Sequence, residues 1–330
     1  MSHLRNTGIM EPLAIRSILA ATDLSEVSNE VLRAAGALAA RTGAALHVLH
    51  VYDFPANPYL DPVDETPTFQ DRVHSSELAL DAQLAAVLPA GAAVASRQVV
   101  IDVPHRAILA AALQVSADLV VLGPHRKGGM EQRILGSTAD RVVRSADVPC
   151  LVIRCYFNLP LRRVVVPVDL SDPAREALDL ALDWGWRLGP GSAPTPGPAL
   201  DVRVLHVLPA ALMGLDGLPS GHARVGPELH GDVEAALGRI GHRSNIAVRE
   251  ELLWGKSEAE EIVRYADEEG AGLLVLATHG GGATSRALVG SVTSAVARDS
   301  RICVLLVPPS LWRSARVEET PHDSLAMNSV

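Results

Sequence analysis

Leu122-Gly123-Pro124-His125-Arg126-Lys127-Gly128-Gly129 follows a short apolar run, Ala117 to Leu122, and leads through Met130 to Gly136-Ser137-Thr138. The run reads as a buried strand and the Gly-Ser step as the start of a helix. A second copy lies far downstream. Leu276-Ala277-Thr278-His279-Gly280-Gly281-Gly282 follows the apolar run Leu273 to Leu276 and continues to Gly290-Ser291-Val292. In both copies thirteen positions separate the first loop residue (Gly123, Ala277) from the glycine before the serine (Gly136, Gly290). Such a strand-to-helix turn suits an anion: small residues expose backbone N–H groups, and the helix N-terminus adds positive potential. The sequence thus predicts a phosphate cradle, present twice.

Working outward from the first copy, Arg16 to Thr22 reads as a strand broken by Asp23-Leu24-Ser25, and Glu26 to Arg41 carries apolar residues at helical spacing. Ala45 to Val51 is a strand, Tyr52 to Thr68 a Pro- and Asp-rich loop, and Ser75 to Leu88 a helix. Val94 to Ile101 is a strand, Pro104 to Val115 a helix with Pro in its first turn, and Ser137 to Ser145 a short helix before a last strand, Cys150 to Arg154. The second half replays this series. Asp169-Leu170-Ser171 matches Asp23-Leu24-Ser25, Leu205-His206-Val207 matches Leu49-His50-Val51, and Cys303 matches Cys150. The offset is 146 at the Asp pair and 156 at the His pair, so ten residues enter between them, where Gly189 to Pro198 forms a Pro/Gly-rich run. That run is a loop inside the second repeat. The expected organisation is a tail at 1–14, domains at 15–157 and 158–311, and a tail at 312–330.

With 330 residues, 48% of them hydrophobic, the chain can bury two cores. Its formal charge of −9 argues against nucleic acid as the main partner. Three cysteines without metal-type spacing make no disulfide framework, which fits a reducing cytoplasm. No apolar run approaches the roughly 20 residues of a membrane span, and the first ten residues lack the features of a signal peptide.

Strands alternating with helices imply a parallel sheet with right-handed crossovers. The expected fold is α/β: two tandem five-stranded, Rossmann-like domains of strand order 3-2-1-4-5, with helices on both faces. In that order strands one and four are neighbours where the winding reverses, and ligands bind there, outside the strands' carboxyl ends. Asp23 and Asp169 end the first strands, beside the two glycine loops. A carboxylate next to a phosphate cradle suits a nucleotide.

Strand, Asp-x-Ser, helix, Leu-His-Val, and glycine loop ending in Gly-Ser, in this order and twice, resembles the universal stress protein family over nearly the whole chain. The resemblance implies ATP binding, alone or with Mg²⁺, as in the family's ATP-type members. It places Asp23 and Val51, and Asp169 and Val207, near adenine and ribose. It places Gly123, His125, Gly136 and Ser137, and His279, Gly280, Gly290 and Ser291, around the phosphates. It further implies that the two domains pair through their fifth strands, and it leaves a homodimer open. The chain departs from the pattern at one glycine in each half: Arg126 stands at the second position of the first loop, and Ala277 at the first position of the second. A guanidinium at Arg126 would donate charge-assisted hydrogen bonds to phosphate.

Plainer readings stand beside these. Asp23 and Asp169 could serve only to cap the following helix, with Pro173 in a first turn. Histidines 47 and 50, three apart on a strand, point to opposite faces and make no metal pair. Trp254-Gly255-Lys256-Ser257 mimics a P-loop, but Glu250 stands where that motif needs glycine. Ser257 with Glu260 reads as a capping box instead. No nucleophile or water-activating group recurs in both halves, so at most slow ATP hydrolysis is expected. The rival function is a tandem that binds no nucleotide and acts as a protein-interaction scaffold. An adenylating enzyme ranks below both, because no Ser-Gly-Gly loop follows the first strand.

Overall fold

The computed structural model describes residues 14–53, 69–123, 135–190, 200–212, 225–240, 246–280 and 289–309. The chain forms β1 (Ser17–Thr22), α1 (Ser28–Thr42), β2 (Ala45–Tyr52), α2 (Phe69–Val87), β3 (Ser96–Ile101), α3 (Pro104–Gln114), β4 (Leu119–Leu122), α4 (Ser137–Ser145) and β5 (Cys150–Val152). The same series then repeats as β6 (Arg163–Pro167), α5 (Asp172–Leu188), β7 (Leu200–Pro209), α6 (Val225–Ile240), β8 (Ile246–Gly255), α7 (Glu258–Glu268), β9 (Leu273–Ala277), α8 (Ser291–Asp299) and β10 (Val304–Val307).

All ten strands belong to one sheet, ordered β3-β2-β1-β4-β5-β10-β9-β6-β7-β8. Each half therefore has the expected 3-2-1-4-5 winding. Within each half the ladders are parallel, for example Ile18↔Leu119 between β1 and β4 and Val164↔Leu273 between β6 and β9. The halves meet at the centre, where β5 and β10 run antiparallel with Leu151 opposite Leu305.

Strand residues alternate between two cores, as a sheet covered on both faces requires. Ile18, Ala20, Val164 and Val166 pack with α1, α2, α5 and α6 on one face. Leu19 and Val165 pack with α3, α4, α7 and α8 on the other. The alanine-rich helix faces serve this packing: Ala34, Ala35 and Leu38 of α1, and Ala107, Ala111 and Ala112 of α3, are all buried. Among the described residues no helix is long and apolar enough to cross a membrane.

Several boundaries differ from the sequence reading. The first helix begins at Ser28 after an irregular turn, α2 begins six residues before Ser75, and the last strand of the first half ends at Val152. The loop expected at 52–68 begins inside β2, and its residues 54–68 lie outside the described residues, as do 191–199 of the Pro/Gly-rich run. His47 and His50 do face opposite ways: His47 Nδ1 meets Ser96 Oγ at 2.7 Å, and His50 Nδ1 meets the Thr22 carbonyl at 2.9 Å.

Candidate functional site

The site grows from the ends of β1 and β6. In both halves the residue between Asp and Ser takes a left-handed backbone, with φ of 63° at Leu24 and 62° at Leu170. A side-chain-bearing residue there is strained by about 1 kcal/mol, and such strain gathers where a turn must be held for a purpose. The turn is locked from its acidic end. Asp169 Oδ1 accepts from Ser171 N–H at 3.1 Å and from the Ser171 hydroxyl. Ser171 in turn is the N-cap of α5, accepting from Ala174 N–H at 3.4 Å, with Pro173 in the first turn. The serine caps and the aspartate orients it, so the plain capping reading fits Ser171 and not Asp169.

The first half elaborates the same turn. Asp23 Oδ1 accepts from Ser25 N–H at 3.0 Å, from Ser25 Oγ at 2.5 Å and from the Ser28 hydroxyl. Partial burial pushes the Asp23 carboxyl up, but these hydrogen bonds outweigh it and hold it below the usual carboxylate value. The position matching Ser28 is Ala174, which leaves Asp169 with one serine in place of two.

The site's second wall is the glycine loop. His279 Nδ1 lies 2.8 Å from Thr278 Oγ1, and that hydroxyl also reaches the Val307 carbonyl at 3.3 Å. His279 Nε2 is buried and has no hydrogen-bond partner among the described residues. Gly280 stands so close to the aspartate that a Cβ there would sit 2.5 Å from Asp169 Oδ2. Gly290 N–H donates to the Thr278 carbonyl at 2.8 Å, bringing the start of α8 against the loop. As the N-cap of α8 with no side chain, Gly290 leaves the first-turn N–H groups from Ser291 onward to an outside acceptor.

These groups face one cavity of about 550 Å³ at the carboxyl ends of β6 and β9. Its lining brings together Asp169, Val207, Ala277, His279, Gly280, Gly290 and Ser291, all named from the sequence. It also includes Glu258 at the start of α7, which the sequence reading missed. The available signal was positional: Ser257 caps α7, accepting from Glu260 N–H at 3.4 Å, so Glu258 follows directly on the carboxyl end of β8. Leu205, Ile262, Leu276 and Val289 supply apolar wall. His206 stiffens the floor, its Nδ1 on the Val168 carbonyl at 2.7 Å, as His50 does at the matching place.

In the first half Asp23, Val51, Gly123, Gly136 and Ser137 occupy the corresponding positions, with Gly136 the uncapped N-cap of α4. His125 and Arg126 lie outside the described residues. Ala277 is explained by packing. A Cβ at Gly123 would meet Val31 of α1 at 3.0 Å. Alanine replaces that valine at the matched position 177, and Ala177 and Ala277 share one core cluster. The extra methyl thus belongs to the helix packing. None of Gly123, Gly136, Gly280 and Gly290 has positive φ, so glycine serves here by close approach and by the missing side chain.

A doubly wound α/β unit, repeated and joined at its fifth strands, with an acidic turn facing a helix N-terminus, is the class these features define. The Universal stress protein family model matches residues 14–154 and again 160–308. The chain belongs to the universal stress protein family. It is 26% identical over 311 residues to the universal stress protein Slr1230 of Synechocystis sp., covering 88% of this chain and 99% of that one. It is 31% identical over 140 residues to a universal stress protein of Thermus aquaticus, covering 42% of this chain and 98% of the relative. Among solved structures, a universal stress protein from Archaeoglobus fulgidus aligns with a TM-score of 0.61 at 20% identity, over 91% of this chain and 99% of that one. At that identity the likeness speaks for the fold alone.

Proposed function

We propose that the chain is a nucleotide-responsive binding protein, and that the cavity of the second half takes an adenine nucleotide, ATP. The observation that carries this is the convergence on one cavity of the Asp169 carboxylate, the N-terminus of α8, which has no side-chain cap, and the buried Nε2 of His279, which has no partner among the described residues. The carboxylate accepts ribose hydroxyls, the helix N-terminus and glycine backbone accommodate phosphate, and the apolar wall around Leu205, Ile262 and Val289 accepts a purine face. His279 Nε2 is free to hydrogen-bond a polar group of the ligand. Where Mg²⁺ accompanies ATP, it would arrive on the nucleotide's own phosphates. Asp23, Val51, Gly136 and Ser137 form the equivalent site of the first domain. Binding and response, with hydrolysis at most slow, is the role that follows.

Equilibrium dialysis of the full chain against ATP, with the melting temperature read in parallel, tests the proposal. Saturable binding with a rise in melting temperature is expected. Absence of both binding and a melting shift at millimolar ATP would overturn it and leave the scaffold reading.

A further inference from the structure

The chain leaving β5 crosses the entry to β10 and brings together two cysteines 148 residues apart, Cys155 and Cys303, with their Sγ atoms 3.7 Å from each other. Cys303 is fully buried at 0% exposure. Cys155 is half-buried, next to Tyr156, which is 64% exposed. The Cys155 side of the pair is therefore the side nearer to solvent. Cys303 Sγ is fixed in place: it accepts from Arg154 N–H at 3.4 Å and lies 3.6 Å from the Cys155 carbonyl. A disulfide needs about 2.05 Å between the sulfurs, a gap that side-chain torsions close from a starting contact this short.

We propose that Cys155 and Cys303 form a redox site, at which a peroxide converts the thiol pair to a disulfide joining the two halves of the chain. Hydrogen peroxide oxidises Cys155 first. The peroxide O–O bond breaks, the sulfur takes one oxygen to become a sulfenic acid, and one water leaves. The Cys303 sulfur then attacks the Cys155 sulfur: the S–S bond forms, the S–O bond breaks, and the hydroxyl departs with the Cys303 proton as a second water. Two electrons pass from the thiol pair to the peroxide. Cys150 takes no part: it packs in the core on the other face of the sheet from Cys303 and Cys155, with its thiol on the Val148 carbonyl at 3.6 Å.

The bond lands on the segment that ties the halves together. Arg154 precedes Cys155 directly, and its guanidinium donates to the Ser300 carbonyl at 2.9 Å and the Arg298 carbonyl at 2.5 Å, at the C-terminal end of α8. Oxidation thus adds a covalent link between the segment after β5 and the residue before β10, beside the grip of Arg154 on the end of α8.

The full chain, treated with hydrogen peroxide, quenched and denatured, is assayed for free thiols and digested without reduction for mass spectrometry. The three thiols of the reduced chain are expected to fall to one, with the Cys155 peptide linked to the Cys303 peptide and the link reversed by dithiothreitol. Cys150→Ser should cross-link as the wild type does. Cys155→Ser should keep both remaining thiols, and Cys303→Ala should leave Cys155 as a sulfenic acid that dimedone traps. Three thiols retained in the wild type, oxidation of Cys155 to sulfinic acid without a link, or a bond through Cys150 or between chains overturns the proposal. Should Cys303→Ala fail to fold, the half-exposed Cys155→Ser and the wild-type peptide map still decide it.

Discussion

At the scale of the residue, the two glycines that the sequence weighs alike are not alike. A methyl at Gly280 collides with the Asp169 carboxylate, whereas a methyl at Gly290 finds its nearest atoms at 3.7 to 4.0 Å. Gly280→Ala is therefore expected to weaken ATP binding about tenfold or more, measured by calorimetric titration. Gly290→Ala should melt within about 2 °C of the wild type. The acidic turn makes a pH prediction. The Asp23 carboxyl is held below its ordinary value, so the stability it contributes is full above about pH 4. That contribution is lost as pH falls through its lowered folded value. Ser28→Ala removes one of the hydrogen bonds responsible and should move the Asp23 titration upward, read from its carboxyl carbon by NMR. An unchanged titration would contradict the role given to Ser28. Asp23 and Asp169 stood out in the sequence because they recur. The left-handed Leu24 and Leu170 were not, since leucine carries no signal for positive φ and only the packed turn imposes it.

At the scale of the element, helix starts decide how the cavity is built. Ser171 both caps α5 and holds the Asp169 carboxylate, so Ser171→Ala should cost about 1 kcal/mol in urea unfolding and weaken ATP binding as well. Ser257→Ala removes a comparable cap from α7. It should show the stability loss with a smaller effect on binding, because no contact of Ser257 touches the acidic turn. The strands and helices were readable from apolar periodicity, and their order from the repeat. The helical pattern starts at Glu26 and α1 at Ser28, because Glu26 and Val27 lie in a tighter lead-in of i→i+3 bonds, such as Asn29 N–H to the Glu26 carbonyl at 3.2 Å. Glu258 went unseen for a related reason: on α7 it reads as one of several acidic residues of a first turn, and only the sheet brings that turn to the cavity.

At the scale of the whole molecule, the halves are held by more than the β5–β10 ladder. Arg41 at the end of α1 donates to the Arg187 carbonyl at 3.2 Å and to the Gly189 carbonyl, closing the C-terminal end of α5. Arg154 does the same for α8. Arg154→Met leaves buried carbonyls unsatisfied and should cost about 2 kcal/mol or more, with faster hydrogen exchange along α8. Neither clamp was visible in the sequence, because a cross-repeat contact has no periodicity and depends on the seam itself. That seam has a further consequence. Two separate chains meeting through edge strands come apart on dilution, as mass action requires. Here the linker from Val152 to Arg163 carries one half to the other, so the local concentration of each at the seam is set by the chain and not by the solution. The ladder between Leu151 and Leu305 persists however scarce the protein becomes in its surroundings.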